Sequence, residues 1–236
     1  MTQHAIADHE TWLAARGELL EKEKQFTRAR DALSEARRAL PWERVDKTYT
    51  FEGSNGQRTL GELFEGRSQL IVYHFMFAPE WEHGCKSCSF WADNFNGVVP
   101  HLNARDVSFV AISRAPREKL VAQQRRLGWS FEWLSSGSSD FNYDFQASFR
   151  SAQLETGTVQ YNYRPLTTKR TDLVGISVFY RDTDGAIYHT YSCYSRGVDM
   201  LNTAYHYLDL VPKGRDEGEQ PQSWVKLRDE YARKAG

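Results

Sequence analysis

Two of the three cysteines, Cys85 and Cys88, stand three residues apart in the stretch HGCKSCSFWADNFN. A Cys-x-x-Cys pair suits reversible disulfide chemistry, because one sulfur attacks as thiolate and the other closes a small ring within the same chain. If a helix begins at the pair, Cys85 meets the unpaired backbone N–H groups of its first turn, which favour the thiolate, and Cys88 lies one turn further along. Lys86 adds a solvated positive charge. Zinc binding is one alternative, but a tetrahedral site needs four ligands, so Cys193 with His83, His74 or His189 would have to complete it. Inert buried cysteines are the other. The order of apolar strand, loop, cysteine pair and helix favours redox chemistry over both.

Trp81, Glu82 and His83 directly precede the pair and are placed to form a lip around the thiolate. His83 is a candidate proton carrier because imidazole titrates near neutrality; its plainer role is a solvated loop histidine. Trp81 serves equally well as a lid on the core. Arg114 follows the second strand at the carboxyl edge expected of a parallel sheet, where functional loops gather; its plainer role is a surface salt bridge. Cys193 reads as a small buried hydrophobe and, as the alternative, as an extension of the relay.

The elements that must position these residues follow from the apolar pattern. Gln69 to Phe77 is a buried strand that Pro79 stops, and Ser87 to Asn96 is the helix behind the cysteines. Asp106 to Ser113 is a second strand. Pro116 opens a helix that runs to Leu127 before Gly128, and Trp129 to Leu134 is a third strand. Strands alternating with helices at this spacing predict a mostly parallel sheet covered by helices. Upstream, Tyr49 to Glu52 starts a strand, Asn55-Gly56 marks a hairpin turn, and Thr59 caps a short helix through Phe64.

Downstream, residues 135–150 read as ordered surface with a short helix near Phe145, and VQYNYRPL as an edge strand or an extended loop. Leu173 to Arg181 and Ala186 to Ser195 form an antiparallel hairpin around DTDG. Strict alternation puts Ile187, His189, Tyr191 and Cys193 on one face and Tyr188, Thr190, Ser192 and Tyr194 on the other. Asp199 caps a helix through Leu208, and WVKLRDEYARK is a closing helix with Trp224, Leu227 and Tyr231 on its apolar face.

Asp8 to Leu40 is helical, with Trp12, Leu19, Phe26, Leu33 and Leu40 recurring every seventh residue. From Trp12 to Leu40 an unbroken helix spans roughly 42 Å. Either it breaks near Gly17 or Thr27, or it is an arm across the body or across a second subunit. A homodimer is one assembly that the stripe would suit. The segments are thus a helical extension at 1–45, a central domain at 46–210 and a loop with helix at 211–236.

Composition sets outer bounds. The chain has 236 residues, with 30 Lys plus Arg against 31 Asp plus Glu. That balance creates no field inviting nucleic acid or an anionic membrane. The amino terminus lacks the pattern of a secretory signal and no window reaches the length of a membrane span, so a reducing cytoplasm is the expected compartment. No phosphate-binding glycine pattern points to a nicotinamide or flavin, and no cofactor is expected.

Strand, Cys-x-x-Cys helix, strand, helix, strand and hairpin resemble the thioredoxin fold in its peroxiredoxin-like branch. FMFAPEWEHGCKSCSFWADNFNG at 75–97, SRAP at 113–116, SSGSSDFN at 135–142, YSRGVDMLN at 194–202 and the closing LRDEY resemble an uncharacterised bacterial thioredoxin-like family, domain of unknown function number 899. The resemblance implies an α/β fold, a thioredoxin-like mixed sheet flanked by helices, with a long N-terminal helix and a C-terminal helical extension. It also implies that Cys85 attacks and Cys88 resolves. Two departures stand out: Asp172, Leu173 and Val174 precede the strand where thioredoxins carry a cis proline, and Glu82 stands where peroxiredoxins carry a threonine.

The expected function is therefore thiol-disulfide exchange, with Cys85, Cys88, His83, Trp81 and Arg114 as site residues. The partners would be a dithiol reductant and a disulfide-containing protein or small molecule. The alternatives are a non-catalytic binding or structural protein that uses the long helix as its surface, and a metal-binding enzyme.

Overall fold

The computed structural model describes residues 4–231, and the chain divides into two units, Met1–Pro41 and Trp42–Gly236. In the first, one helix, α1 (His9–Arg38), runs unbroken through Gly17 and Thr27, so the break considered there is absent. The Asp8 carboxylate accepts the backbone N–H of Thr11 at 2.8 Å, satisfying one of the donors a helix start leaves open. Arg37 and Arg38 occupy the last turn, where cations complement the carbonyl end. No residue of α1 is buried, and Trp12, Leu19, Phe26 and Leu33 each expose half or more of their surface.

The second unit is built on an eight-stranded sheet. It opens with β1 (Glu43–Arg44), the hairpin β2 (Thr50–Gly53) and β3 (Gly56–Thr59), and the central strand β4 (Gln69–His74). Next come α2 (Lys86–Ala92), α3 (Val99–Asn103), β5 (Val107–Ser113), α4 (Arg117–Leu127) and β6 (Glu132–Ser135). Then follow α5 (Phe141–Asp144), α6 (Ser151–Glu155), and the separate hairpin β7 (Val159–Tyr161) and β8 (Arg164–Leu166). The hairpin β9 (Gly175–Arg181) and β10 (Ile187–Tyr194), then α7 (Thr203–Leu208) and α8 (Arg228–Tyr231), complete the order.

The strands lie in the spatial order β1-β10-β9-β4-β5-β6-β2-β3. β4, β5 and β6 are parallel, and β9 runs antiparallel to β4. A parallel pair joined through the cysteine-bearing helix, flanked by an antiparallel hairpin, is the thioredoxin-like arrangement. The pleat divides the core. Tyr73 and Phe75 pack with Trp91 and Trp133 on one face, whereas Leu70 and Val72 pack with Phe64, Phe141 and Phe179 on the other. No helix among the described residues is long and apolar enough to cross a membrane.

Several local expectations need correction. α2 ends at Ala92 rather than Asn96, because the Asn94 side chain donates to the carbonyls of Phe90 and Trp91 and competes with further backbone bonding. VQYNYRPL is a tight hairpin whose two turn residues, Asn162 and Tyr163, take φ of 53° and 62°, the left-handed pair of a type I′ turn. In β10 a bulge falls between His189 and Tyr191, since His189 faces Phe179 while Tyr191 faces Val178. The extra residue, Thr190, exchanges the faces beyond it. His189 therefore lies with Ser192, 2.7 Å from its hydroxyl, and not on the face of Cys193. Asn202, not Asp199, caps α7, accepting the Tyr205 N–H at 3.2 Å; Asp199 pairs with Arg196 and Arg215. α8 starts at Arg228, so Trp224 and Leu227 precede it, and the rest of the expected closing helix lies outside the described residues.

Candidate active site around Cys85 and Cys88

Beyond β4 the chain loops out and returns, and the Cys85 N–H donates to the Met76 carbonyl at 3.0 Å. Gln123 of α4 holds the return from behind. Its Oε1 accepts the Gly84 N–H at 2.7 Å, and its Nε2 donates to Ser89 Oγ at 3.1 Å. Only glycine fits at 84, because a Cβ there would stand 2.7 Å from the Phe75 ring and 2.9 Å from Gln123. Cys85 becomes the residue that caps α2, and its carbonyl accepts the Ser89 N–H at 2.9 Å.

The two thiols have unlike surroundings. Cys85 is partly exposed, whereas Cys88 is 2 % exposed and accepts the Met76 N–H at 3.5 Å. The Cys88 thiol donates to Cys85 and, with the N–H groups of Cys88 and Ser87 and the Ser87 hydroxyl, brings the Cys85 pKa down to about 6 against the opposing effect of burial. Burial, and the bond it donates to Cys85, hold Cys88 well above the ordinary thiol range. Beside Cys88 lies the fully buried hydroxyl of Tyr73, which has no nitrogen or oxygen partner among the described residues and meets the Cys88 sulfur as a donor. Burial pushes this phenol well up, so it remains a donor.

Both cysteines line a cavity of about 560 Å³, with Tyr73 and Trp91 beside them. The β7–β8 hairpin contributes Tyr161 and Arg164, the segment before β9 contributes Leu173 and Val174, and the turn after β10 contributes Ser195 and Arg196. Tyr161 clasps these walls together, its hydroxyl donating to the Val174 carbonyl at 2.7 Å and accepting the Ser195 N–H at 2.9 Å.

The other residues singled out from sequence stand apart from this cavity. His83 is exposed and lies 3.7 Å from Glu82. Trp81 packs against the core edge, and its carbonyl accepts from Lys119 at 2.7 Å. Arg114 grips Asp172 through two bonds of 2.9 and 2.6 Å, and its remaining nitrogen donates to the Tyr143 hydroxyl at 3.1 Å. This pair is buried, with the side chains 12 % and 3 % exposed. It pins the segment that ends in Leu173 and Val174, so Arg114 supports a cavity wall from behind. Cys193 sits in the core on the same face as Cys88. Among the described residues no three His, Cys, Asp or Glu side chains are grouped to hold a metal ion.

Tyr73, Arg164 and Arg170 line the cavity but were not among the residues selected from sequence. A tyrosine within the apolar run LIVYHF carries a polar handle that must be placed, which is the one signal that marked Tyr73. Nothing local marked the arginines.

Three solved structures illustrate what the chain is similar to. Peroxiredoxin Q from Xanthomonas campestris matches with a TM-score of 0.48 at 13 % identity, over 71 % of this chain and 98 % of that one. Peroxidoxin BcpB from Mycobacterium tuberculosis matches with 0.44 at 15 % identity, over 70 % and 94 %. The mitochondrial 2-Cys peroxiredoxin from Plasmodium falciparum gives 0.42 at 12 % identity, over 71 % and 92 %. No curated protein matches the sequence. A family model described as bacterial protein of unknown function (DUF899) matches residues 1–231, and the chain therefore belongs to that bacterial family.

Proposed function

We propose that the protein is a thiol-disulfide oxidoreductase in which Cys85 attacks and Cys88 resolves. The reading is carried by the unequal pair at one cavity: a reachable sulfur lowered to about pKa 6 and a buried neighbour raised well above the ordinary range. At neutral pH the outer sulfur is then largely thiolate, the reactive form, while the inner one keeps its proton until needed. Cys85 attacks one sulfur of a disulfide, that S–S bond breaks, and the departing half leaves as a thiolate that takes up a proton. Cys88 then loses its proton and attacks the Cys85 sulfur, forming the Cys85–Cys88 bond and releasing the second half as thiol. The Met76 N–H and the Tyr73 hydroxyl are the donors available to Cys88 as its charge develops. A dithiol reductant returns the pair to its starting state, which suits a reducing cytoplasm.

Cys88→Ser is expected to accumulate a mixed disulfide on Cys85, and Cys85→Ser to form none, both read by intact-mass spectrometry after exposure to a disulfide. A parent protein that never loses two hydrogens between Cys85 and Cys88 under mild oxidation contradicts the reading. Zinc bound stoichiometrically by the parent and lost in Cys85→Ser would replace it with the metal alternative.

A second reading has its own observation, the exposed seven-residue stripe of α1. Such a helix suits a second copy of the chain or another helix as partner. Light scattering is expected to give a dimer for the full chain and a monomer once residues 1–41 are removed; a monomeric full chain contradicts self-association.

A further inference from the structure

The cavity holding Cys85 has more charge than its sulfur chemistry requires. Arg164 and Arg170 line it, both exposed, and among the described residues neither guanidinium has an ion pair, hydrogen bond or ring contact. Arg196 lines it too, paired at 3.2 Å with Asp199, the one carboxylate of the lining, which Arg215 also approaches at 3.5 Å. Two positive charges are thus left uncompensated in the cavity that the reactive sulfur lines. The walls raised by the β7–β8 hairpin and by Ser195 and Arg196 make the approach to Cys85 concave. At about 560 Å³ the space falls within the ~300–1,000 Å³ typical of small-molecule sites.

We propose that the disulfide taken at this site is a small anionic one, carrying carboxylates a few atoms from its sulfurs, with Arg164 and Arg170 receiving them while Cys85 attacks. The proposal rests on the exchange chemistry above and adds its substrate class. One turnover converts the reduced pair and one disulfide into the Cys85–Cys88 bond and two small thiols, so two electrons pass from the pair to the substrate. The two arginines bind and orient. They hold the carboxylates through charge-assisted bonds that a neutral disulfide cannot make.

Three disulfides of similar length test this: dithiodipropionate with two carboxylates, hydroxyethyl disulfide with none, and cystamine with two ammonium groups. The rate of Cys85–Cys88 bond formation in the full chain is measured for each and divided by the rate with dithiothreitol, removing intrinsic reactivity. The expected order is dithiodipropionate, hydroxyethyl disulfide, cystamine, with about a tenfold step between the first two at low salt that shrinks as salt rises. In Arg164→Glu/Arg170→Glu the order is expected to invert in favour of cystamine. Equal normalised rates in the parent, or an order that survives charge reversal, overturns the substrate class while leaving the exchange reading intact. If none of the three oxidises the pair, the exchange reading falls and this proposal with it. The salt dependence of the parent decides the matter even if the double variant does not fold.

Discussion

Tyr73 and His74 are neighbours on β4, yet the pleat sends them to opposite faces of the sheet, where burial has had opposite results. On its face His74 is fully engaged. One ring nitrogen lies 3.4 Å from Asn142 Oδ1 and the other 2.9 Å from Ser177 Oγ, which continues at 2.9 Å to Ser192 and from there at 2.7 Å to His189. Phe141 stacks on the imidazole at 5.5 Å. Tyr73, equally buried, has no nitrogen or oxygen partner among the described residues, and its hydroxyl meets the Cys88 sulfur at a cavity that holds both cysteines. A saturated polar network welds strands together, whereas a buried donor whose neighbour is a thiol can follow that sulfur as it gains charge.

The largest stability effect is expected from Arg114→Ala. The variant leaves Asp172 charged and buried without its guanidinium, a loss of about 3–5 kcal/mol for a buried pair. Urea unfolding measures it, and a change below about 1 kcal/mol would mean that the pair behaves as a surface bridge. Because Asp172 adjoins the cavity wall, the exchange rate of the folded fraction should fall as well.

His74 sharpens the comparison through pH. Burial lowers its pKa from 6.5 to about 4, so on acidification the unfolded chain takes the proton first. Stability contributed by the neutral ring is complete above 6.5 and is lost as pH falls towards 4, by about 3 kcal/mol in all. Burial depresses His189 too, and it adds to the slope in the same direction. Urea titrations at stepped pH should show this slope in the parent and a shallower one in His74→Gln. Equal slopes would place the acid sensitivity elsewhere.

Tyr73→Phe should give the smallest stability change, within about 0.5 kcal/mol, since the hydroxyl it removes has only the weak acceptor sulfur of Cys88 to lose. Its effect belongs to the chemistry. Closure of the Cys85–Cys88 bond from a preformed mixed disulfide is expected to slow several-fold. A strongly destabilised variant with unchanged closure would make Tyr73 part of the scaffold, like His74.

Much of this face was legible because its signals are local. An apolar run, a proline stop and a cysteine pair before a helix all lie within residues 69–96 and report neighbouring geometry. What stayed hidden depends on distant pairing. Arg114 meets Asp172 58 residues away, so its type and position suggested a site when its partner makes it a brace. The bulge at Thr190 arises from how β10 registers on β9, and alternation read along one strand cannot register it. The arginines come to line the cavity of Cys85 only because the β7–β8 hairpin and the segment before β9 form its walls. Their sequence context, NYRPL and TKRT, looks like ordinary surface.

The difference in acidity between Cys85 and Cys88 is the claim on which the proposed function rests, and alkylation of the reduced full chain by iodoacetamide, mapped by peptide across a pH series, measures it directly. The account expects Cys85 to label with a midpoint near its lowered pKa of about 6, levelling off above, while Cys88 stays unlabelled in the folded protein. Labelling of both sulfurs with one midpoint near that of an ordinary thiol, about 8.5, would contradict it.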